Sequence, residues 1–406
     1  MGEVLNQKKT SSFRRNAILL SVLTVVITMG YYMLLIGVLH RITDIQLHVS
    51  MLYNVCLGQG SVPANAGFYE VVHLLSGFTC NPGRLLIIAI IVVAMAWGGL
   101  VGVSAYGGIG LLQQGELIQR ISTTANVKGM ALVAALGSCL LFPLPVSTAS
   151  WYVGLLPPNV YHNSTIITAM PFSIAAVVLG TQCLAAGGAV NWCKDLYLAL
   201  VLATGAIFKP SYAFAFVPAY AVLFLLQSRL QVVQIMRLAL AIVPVLLVIL
   251  GQLMWTNHHP QDTLGGASHV GFAFLAGWHT FVPDYSSWHV LGCAVSSFLV
   301  PIVAYGLRPD WLRLPAHRLG LLSLLVGFGV FLFVYETGPR AMHGNFIWQV
   351  IAANHVLHWI ILLATLSWIP VNISQRRKKM VLLTLLIIEV LCGVTYMINA
   401  LFVGVY

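Results

Sequence analysis

The sequence predicts an all-α fold, a polytopic transmembrane helical bundle of about 11 spans, forming a single domain over residues 1–406 with no separate soluble part. Three observations predict it. Apolar residues make up 59% of the 406 positions and charged residues only 7%. The mean hydropathy is +0.91. Apolar runs of about 20 residues, long enough to cross a bilayer as a helix, recur from one end to the other.

The first run begins near Ala17 and lacks a small-residue cleavage site, so it reads as a first span and not as a removable signal peptide. The runs fall at residues 17–37, 84–106, 128–146, 166–188, 195–208, 211–227, 238–256, 288–306, 319–335, 347–369 and 380–402. Between the first two, "DIQLHVSMLYNV" puts Ile45, His48, Val49 and Tyr53 near one face, and "GFYEVVHLLSGF" repeats the pattern after a "GSVPANAG" turn. Two juxtamembrane helices in the first outer loop are therefore expected. The segment "FPLPVSTASWYVGLLPPNVYHNSTII" carries Pro143, Pro145, Pro157 and Pro158, which exclude a continuous helix. Its "NST" at Asn163 fits a glycosylation sequon of the secretory lumen. Lys209 and Pro210 interrupt an apolar run of about 30 residues, giving either two short spans meeting at the outer face or a broken helix.

The net charge of +10 is explained by topology. With the N-terminus in the cytoplasm, 16 of the 20 Lys and Arg fall on the cytoplasmic side, as the positive-inside rule requires, so no nucleic-acid partner is called for. Arg41, Arg84, Lys209 and Arg340 are left outside. The acids Asp44, Glu70, Asp262, Asp284 and Glu336 and most of the histidines join them there. Cys56 and Cys80 share the first outer loop, where an oxidising compartment permits a disulfide if their geometry allows one.

Asp44 stands four residues before His48, on one helical face. A carboxylate at a low-dielectric border suits a general base, although an interfacial helix with a wet polar side has the same pattern. Arg340, Lys209 and His343 are the residue types that grip a phosphate, against the plainer readings of a Glu336–Arg340 ion pair and a snorkelling lysine. Arg41 is close enough along the chain to partner Asp44, and Asn345 is placed to satisfy loop backbone. His162, Tyr161, Trp151, Trp278 and Asp284 are candidates for contacting sugar or acceptor, the aromatic ones equally for the membrane belt. No HExxH, CxxC or DxD occurs at the outer face, so neither metal nor cofactor is expected. Asn354, His355 and His358 share a helical face that lines a cavity or bonds a neighbouring helix, and Glu389 is an acid inside the last span.

"RITDIQLH" followed by "GFYEVVHLLSGFTCNPGRLLIIAIIVVAMAW" resembles the opening of multi-spanning glycosyltransferases of the GT-C superfamily. "GLLPPNVYHNSTIITAMPFSIA", "FKPSYAFAFVPA" and "ETGPRAMHGNFIWQ" are similar to bacterial membrane proteins of surface-polysaccharide synthesis. The resemblance implies transfer of a sugar from a polyprenyl-phosphate donor to a lipid-linked glycan acceptor, such as an O-antigen, at the periplasmic face of the inner membrane. It maps Asp44 onto the catalytic acid of the first outer loop. Lys209 and Arg340 have no counterpart in it, so their phosphate role rests on residue chemistry. A polymerase or ligase of whole repeat units shares the site chemistry. A lipid-linked-sugar transporter or flippase, with polar groups at the bilayer midplane, is the alternative of another class.

Overall fold

The computed structural model describes residues 2–113, 115, 127–146, 154–187, 189–228, 231–259, 269–275, 278, 286–338 and 345–404. The longer helices in order are α1 (Gly2–Tyr32), α2 (Asp44–Cys56), α3 (Gly67–Leu75), α4 (Pro82–Gln113), α5 (Val127–Ser138), α6 (Ser164–Ala185), α7 (Trp192–Phe208), α8 (Ser211–Ser228) and α9 (Val232–His258). After a short strand β1 (Val270–Phe272) come α10 (Ser287–Ser297), α11 (Leu299–Leu307) and α12 (Pro315–Phe333). Strand β2 (Val334–Glu336), α13 (Trp348–Ser367) and α14 (Ile373–Phe402) follow. The two strands pair antiparallel, with Val270 opposite Glu336, and join two loops far apart in sequence.

Among the described residues eight helices are long and apolar enough to cross a membrane: residues Ser12–Val38, α4, α6, α8, α9, α12, α13 and α14. Counting α10 and α11, which meet at a 56° bend, as one broken span makes nine. The remaining two of the eleven expected segments are α5 and α7. α5 has 12 residues and is about 18 Å long, less than the roughly 30 Å of a hydrocarbon core. Its helix stops at Ser138 and the chain runs on without regular structure through 141–145, where Pro143 and Pro145 withhold helical N–H groups. α2 and α3 form where the apolar pattern predicts them, burying Ile45, Val49 and Leu52 from one, and Phe68, Tyr69 and Val72 from the other.

α13 is the central post. It is buried on every face, 94% of its membrane-length stretch against 11% for the first span, and mostly apolar, as a helix surrounded by protein must be. α12, α8, α5 and α6 surround it, α4 packs between α1 and α6, and α7 packs against α9 and α6. A groove of about 640 Å³ between α1, α4 and α6 is lined almost wholly by apolar groups and glycines.

The polar residues of α13 exist because irregular backbone lies beside them. Residues 154–163 are non-helical yet buried from Gly154 to Asn163, so their carbonyls need donors. Asn354 Nδ2 donates to Leu156 O (2.8 Å) and Ser297 O (3.1 Å), and His355 Nδ1 donates to Pro158 O (3.1 Å). Asn159 Nδ2 in turn donates to Ser138 O (2.7 Å) and Leu141 O (2.8 Å). Of the two roles open to this face, bonding to neighbouring chain is the one Asn354 and His355 fill.

His358 is different. Its Nδ1 lies 2.8 Å from Asn354 O, which only accepts, so Nδ1 carries the proton. Its Nε2 faces Glu389 Oε2 at 3.4 Å, with both side chains buried. The imidazole is thus the side chain that the acid inside α14 meets across the contact with α13. A second buried pair joins α7 to α9: Arg237 donates to Asp195 through Nε (2.7 Å) and Nη2 (3.1 Å), and through Nη1 to Gln234 Oε1 (2.9 Å).

α14 also touches the 139–146 segment backbone to backbone. A Cβ on Gly393 would sit 1.7 Å from Leu140 O, while Phe142 N–H bonds Glu389 O at 3.1 Å. Gly393→Ala is therefore expected to lower the thermal midpoint in detergent, by an amount corresponding to at least about 1–3 kcal/mol. Gly251→Ala in α9, where nothing lies within 4 Å of the added carbon, leaves the midpoint unchanged or raises it. Equal midpoints for the two variants would show that α14 does not make this contact.

Candidate functional site

Four segments meet at one end of the bundle. The first is the start of α2, set by a capping box: Thr43 Oγ1 accepts from Ile45 N–H (3.2 Å), and Thr43 N–H donates to Gln46 Oε1 (2.6 Å). This fixes Asp44 in the first turn, where the helix dipole favours a carboxylate. The second is the start of α6, capped by Asn163, whose Oδ1 accepts from Ile166 N–H (3.1 Å) and Thr165 Oγ1–H (2.9 Å). The third is the break between α7 and α8, which is only Lys209 and Pro210. The fourth is Trp348 at the start of α13.

One hydrogen-bonded chain connects them. Asn163 Nδ2 donates to Asp44 Oδ2 at 2.8 Å, and Lys209 Nζ donates to Thr165 Oγ1 at 3.1 Å. The ammonium also lies over the Trp348 ring, 4.8 Å from its centroid. A carboxylate and an ammonium from remote parts of the chain are thus joined through an Asn–Thr bridge at the tip of α6. Burial draws the Lys209 ammonium down to about 8, against the opposing pull of Asp44. Lys209 therefore titrates just above neutrality. A cavity of about 10 Å³ lies beneath Lys209 between α6, α7 and α8, room for about one water.

His48, one turn after Asp44, pairs its Nδ1 with the Tyr69 hydroxyl of α3 and meets the rings of Phe68 and Tyr69 edge-on. Burial, helped by the positive charge of Lys209 and opposed by Asp44, lowers it to about 4, so it is neutral at pH 7. Burial likewise lowers His162 despite the opposing Asp44, and raises the Tyr69 hydroxyl, with Asp44 adding to that shift. Beside the end of α7 a groove of about 360 Å³ opens between Val62, Pro63, Ile207, Val248 and Trp255, with Glu70 on its wall.

The structure brings Asp44, His48, His162 and Lys209 into one neighbourhood and sets other expected residues elsewhere. Arg41 does not partner Asp44; its Nε and Nη2 donate to Leu401 O (3.1 Å) and Phe402 O, capping the last carbonyls of α14. Asn345 does not serve loop backbone; its Nδ2 donates to Glu336 Oε2 at 2.6 Å, at the end of β2. Tyr161 is a buried core residue, its hydroxyl on Cys139 O (3.0 Å) and its ring stacked on Trp97. Trp278 is buried too, bonded to Gly154 O (2.9 Å) and packed edge-on to Phe331. Arg340, His343, Trp151 and Asp284 lie outside the described residues.

The bridge itself, Asn163 and Thr165, was not expected. Its signal was in the sequence, since an Asn immediately before an apolar helical run is a helix-capping pattern. The same letters fit a glycosylation sequon, but Asn163 is 5% exposed with both ends of its amide engaged, so no glycan fits there. Among the described residues no group of three or more His, Cys, Asp or Glu could hold a metal ion. Comparison with protein-family models finds no match, and comparison with curated proteins finds none either. The resemblance to the GT-C superfamily therefore rests on its short motifs.

Proposed function

We propose that the chain is an eleven-crossing glycosyltransferase of a bacterial inner membrane. It moves a sugar from a polyprenyl-phosphate donor to a lipid-linked glycan at the periplasmic face. The observation that supports this reading is the Asp44–Asn163–Thr165–Lys209 chain, which links a carboxylate and an ammonium from remote segments through two intervening side chains. The residues it joins all fall on the outer side in the alternation that puts most Lys and Arg inside.

In this reading Asp44 takes the proton of an acceptor hydroxyl as that oxygen attacks the anomeric carbon. The bond from that carbon to the phosphate oxygen breaks, and polyprenyl phosphate leaves with the electron pair. A single displacement inverts the anomeric centre. Lys209, with Arg340 and His343 from the 339–344 segment, stabilises the charge growing on the leaving phosphate. Asn163 aims the carboxylate, and His48, neutral and tied to Tyr69, spaces α2 from α3.

Purified protein given a polyprenyl-phosphate monosaccharide and a lipid-linked glycan is expected to add one sugar. A product ladder would identify a polymerase instead. The buried His358–Glu389 pair favours a second reading, a proton-linked transporter of the lipid-linked sugar. Movement of donor across proteoliposomes with no acceptor-dependent product would establish that reading and remove the first.

The lysine supplies a pH test. Its ammonium is present below about 8 and lost above it, whereas an ordinary lysine holds its proton to 10.5. Donor binding is therefore expected to weaken as pH rises through about 8. Lys209→Met weakens binding about 10–100-fold at pH 7 and abolishes that pH dependence, while Lys209→Arg keeps binding constant to higher pH. Wild-type binding unchanged from pH 7 to 10 would exclude Lys209 as a phosphate ligand.

A further inference from the structure

The loop that carries the site also carries two cysteines, and the chain is folded to bring them together. α2 ends at Cys56 and α4 starts at Pro82, with α3 between. At the end of α3 the chain reverses through two left-handed residues, Gly77 (φ +71°) and Phe78 (φ +56°), with Phe78 N–H bonded to His73 O at 2.9 Å. A phenylalanine in that conformation is uncommon and costs energy, so something beyond local preference holds the reversal. The reversal lays Thr79 and Cys80 against Cys56. The Cys56 thiol is 3.9 Å from the carbonyl of Thr79, the residue before Cys80, and near enough to the Cys80 thiol for the two to influence each other, and His73 Nε2 lies 3.6 Å from it. The Phe78 ring closes over His73 edge-on at 5.1 Å.

We infer that Cys56 and Cys80 are a disulfide-forming pair, with His73 as the base that serves it, clipping the end of α2 to the start of α4. The inference rests on the proposed orientation, because only a non-cytoplasmic loop meets an oxidising compartment. The oxidant is an external disulfide, small or protein-borne. Cys80 is exposed and Cys56 half-buried, so Cys80 is the entry thiol. Its thiolate attacks one sulfur of the external disulfide and expels the other as a thiolate, leaving a mixed disulfide on Cys80. Cys56 then passes its proton to His73 and attacks the Cys80 sulfur, releasing the second external thiolate. Two protein thiols and one external disulfide become one protein disulfide and two external thiols.

The clip would fix more than the loop. α3 carries Tyr69, which holds His48 one turn from Asp44. Closing the ring around α3 removes freedom from the loop when it is unfolded or displaced, and so keeps that hydroxyl in place.

The test uses the full chain in its native membrane, alkylated with N-ethylmaleimide under denaturing conditions without reduction, then digested and weighed. The expected result is a linked Cys56–Cys80 peptide pair that separates on reduction. The reduced wild type and the Cys56→Ser/Cys80→Ser protein should then share a lowered thermal midpoint. Both cysteines alkylated before reduction would overturn the inference. A membrane-impermeant maleimide applied to intact cells separates the causes of that failure. Free Cys80 labelled from outside removes the disulfide and keeps the orientation, whereas free Cys80 reached only from the cytoplasmic side removes both.

Discussion

Asp44→Asn is expected to lower turnover about 10²–10⁴-fold while donor binding and the thermal midpoint stay close to wild type. The substitution is nearly isosteric. The new amide oxygen can still accept from Asn163 Nδ2, and Thr43 and Gln46 still cap α2, so the local fold has no reason to change. What disappears is a group that can accept a proton, together with a charge that favours the helix N-terminus by less than about 1 kcal/mol. A packing defect would lower binding and stability together. A lost base lowers the chemical step alone, so single-turnover kinetics with radiolabelled polyprenyl-phosphate sugar separates the two. Turnover near wild type would remove Asp44 from the mechanism.

The largest expected loss of stability lies at the other end of α7. Arg237→Met leaves the Asp195 carboxylate, fully buried and bonded twice to that guanidinium, with a charge and no counter-ion. Breaking such a pair on one side costs about 3–5 kcal/mol. Asp195→Leu leaves the buried Arg237 guanidinium without its carboxylate, bonded to Gln234 Oε1, and should cost a similar amount. The double variant removes both charges and should recover most of the loss, because the pair's attraction largely offsets its own desolvation. Denaturant midpoints of the four proteins in detergent make the comparison. Additive losses in the double variant would show that the two side chains act independently. α7 runs about 21 Å from Asp195 to Lys209, so the comparison also tests whether anchoring one end of this helix sets the lysine at the other.

The helices were legible because their cause is local. A period of apolar residues specifies that a helix exists and which face is buried, and α2, α3 and α13 follow from it. Length was legible only where nothing interrupts the pattern: 128–146 reads as one crossing by composition, but the helix stops at Ser138 and the stretch holding Pro143 and Pro145 is non-helical. Partners across the bundle were less legible. Arg41 stands three residues from Asp44, yet the α14 carbonyls outcompete that carboxylate because helix ends present several unpaired acceptors together. Tyr161 and Trp278 look like interfacial aromatics on paper, and are in the core because the buried 154–163 stretch folds back on α4 and α12. Glu389 gave no hint of His358, since two helices bring them together.

The amide at the tip of α6 turns one nitrogen toward Asp44. Asn163 is followed by Ser164, and slow spontaneous hydrolysis of its side chain to an acid would leave the α6 cap in place, because Oδ1 could still accept from both Ile166 and Thr165. Toward Asp44, however, the donor would become a second carboxylate at hydrogen-bond distance, and two such groups cannot both stay ionised at that separation. The chemical age of a single side chain would then set the charge that Asp44 faces.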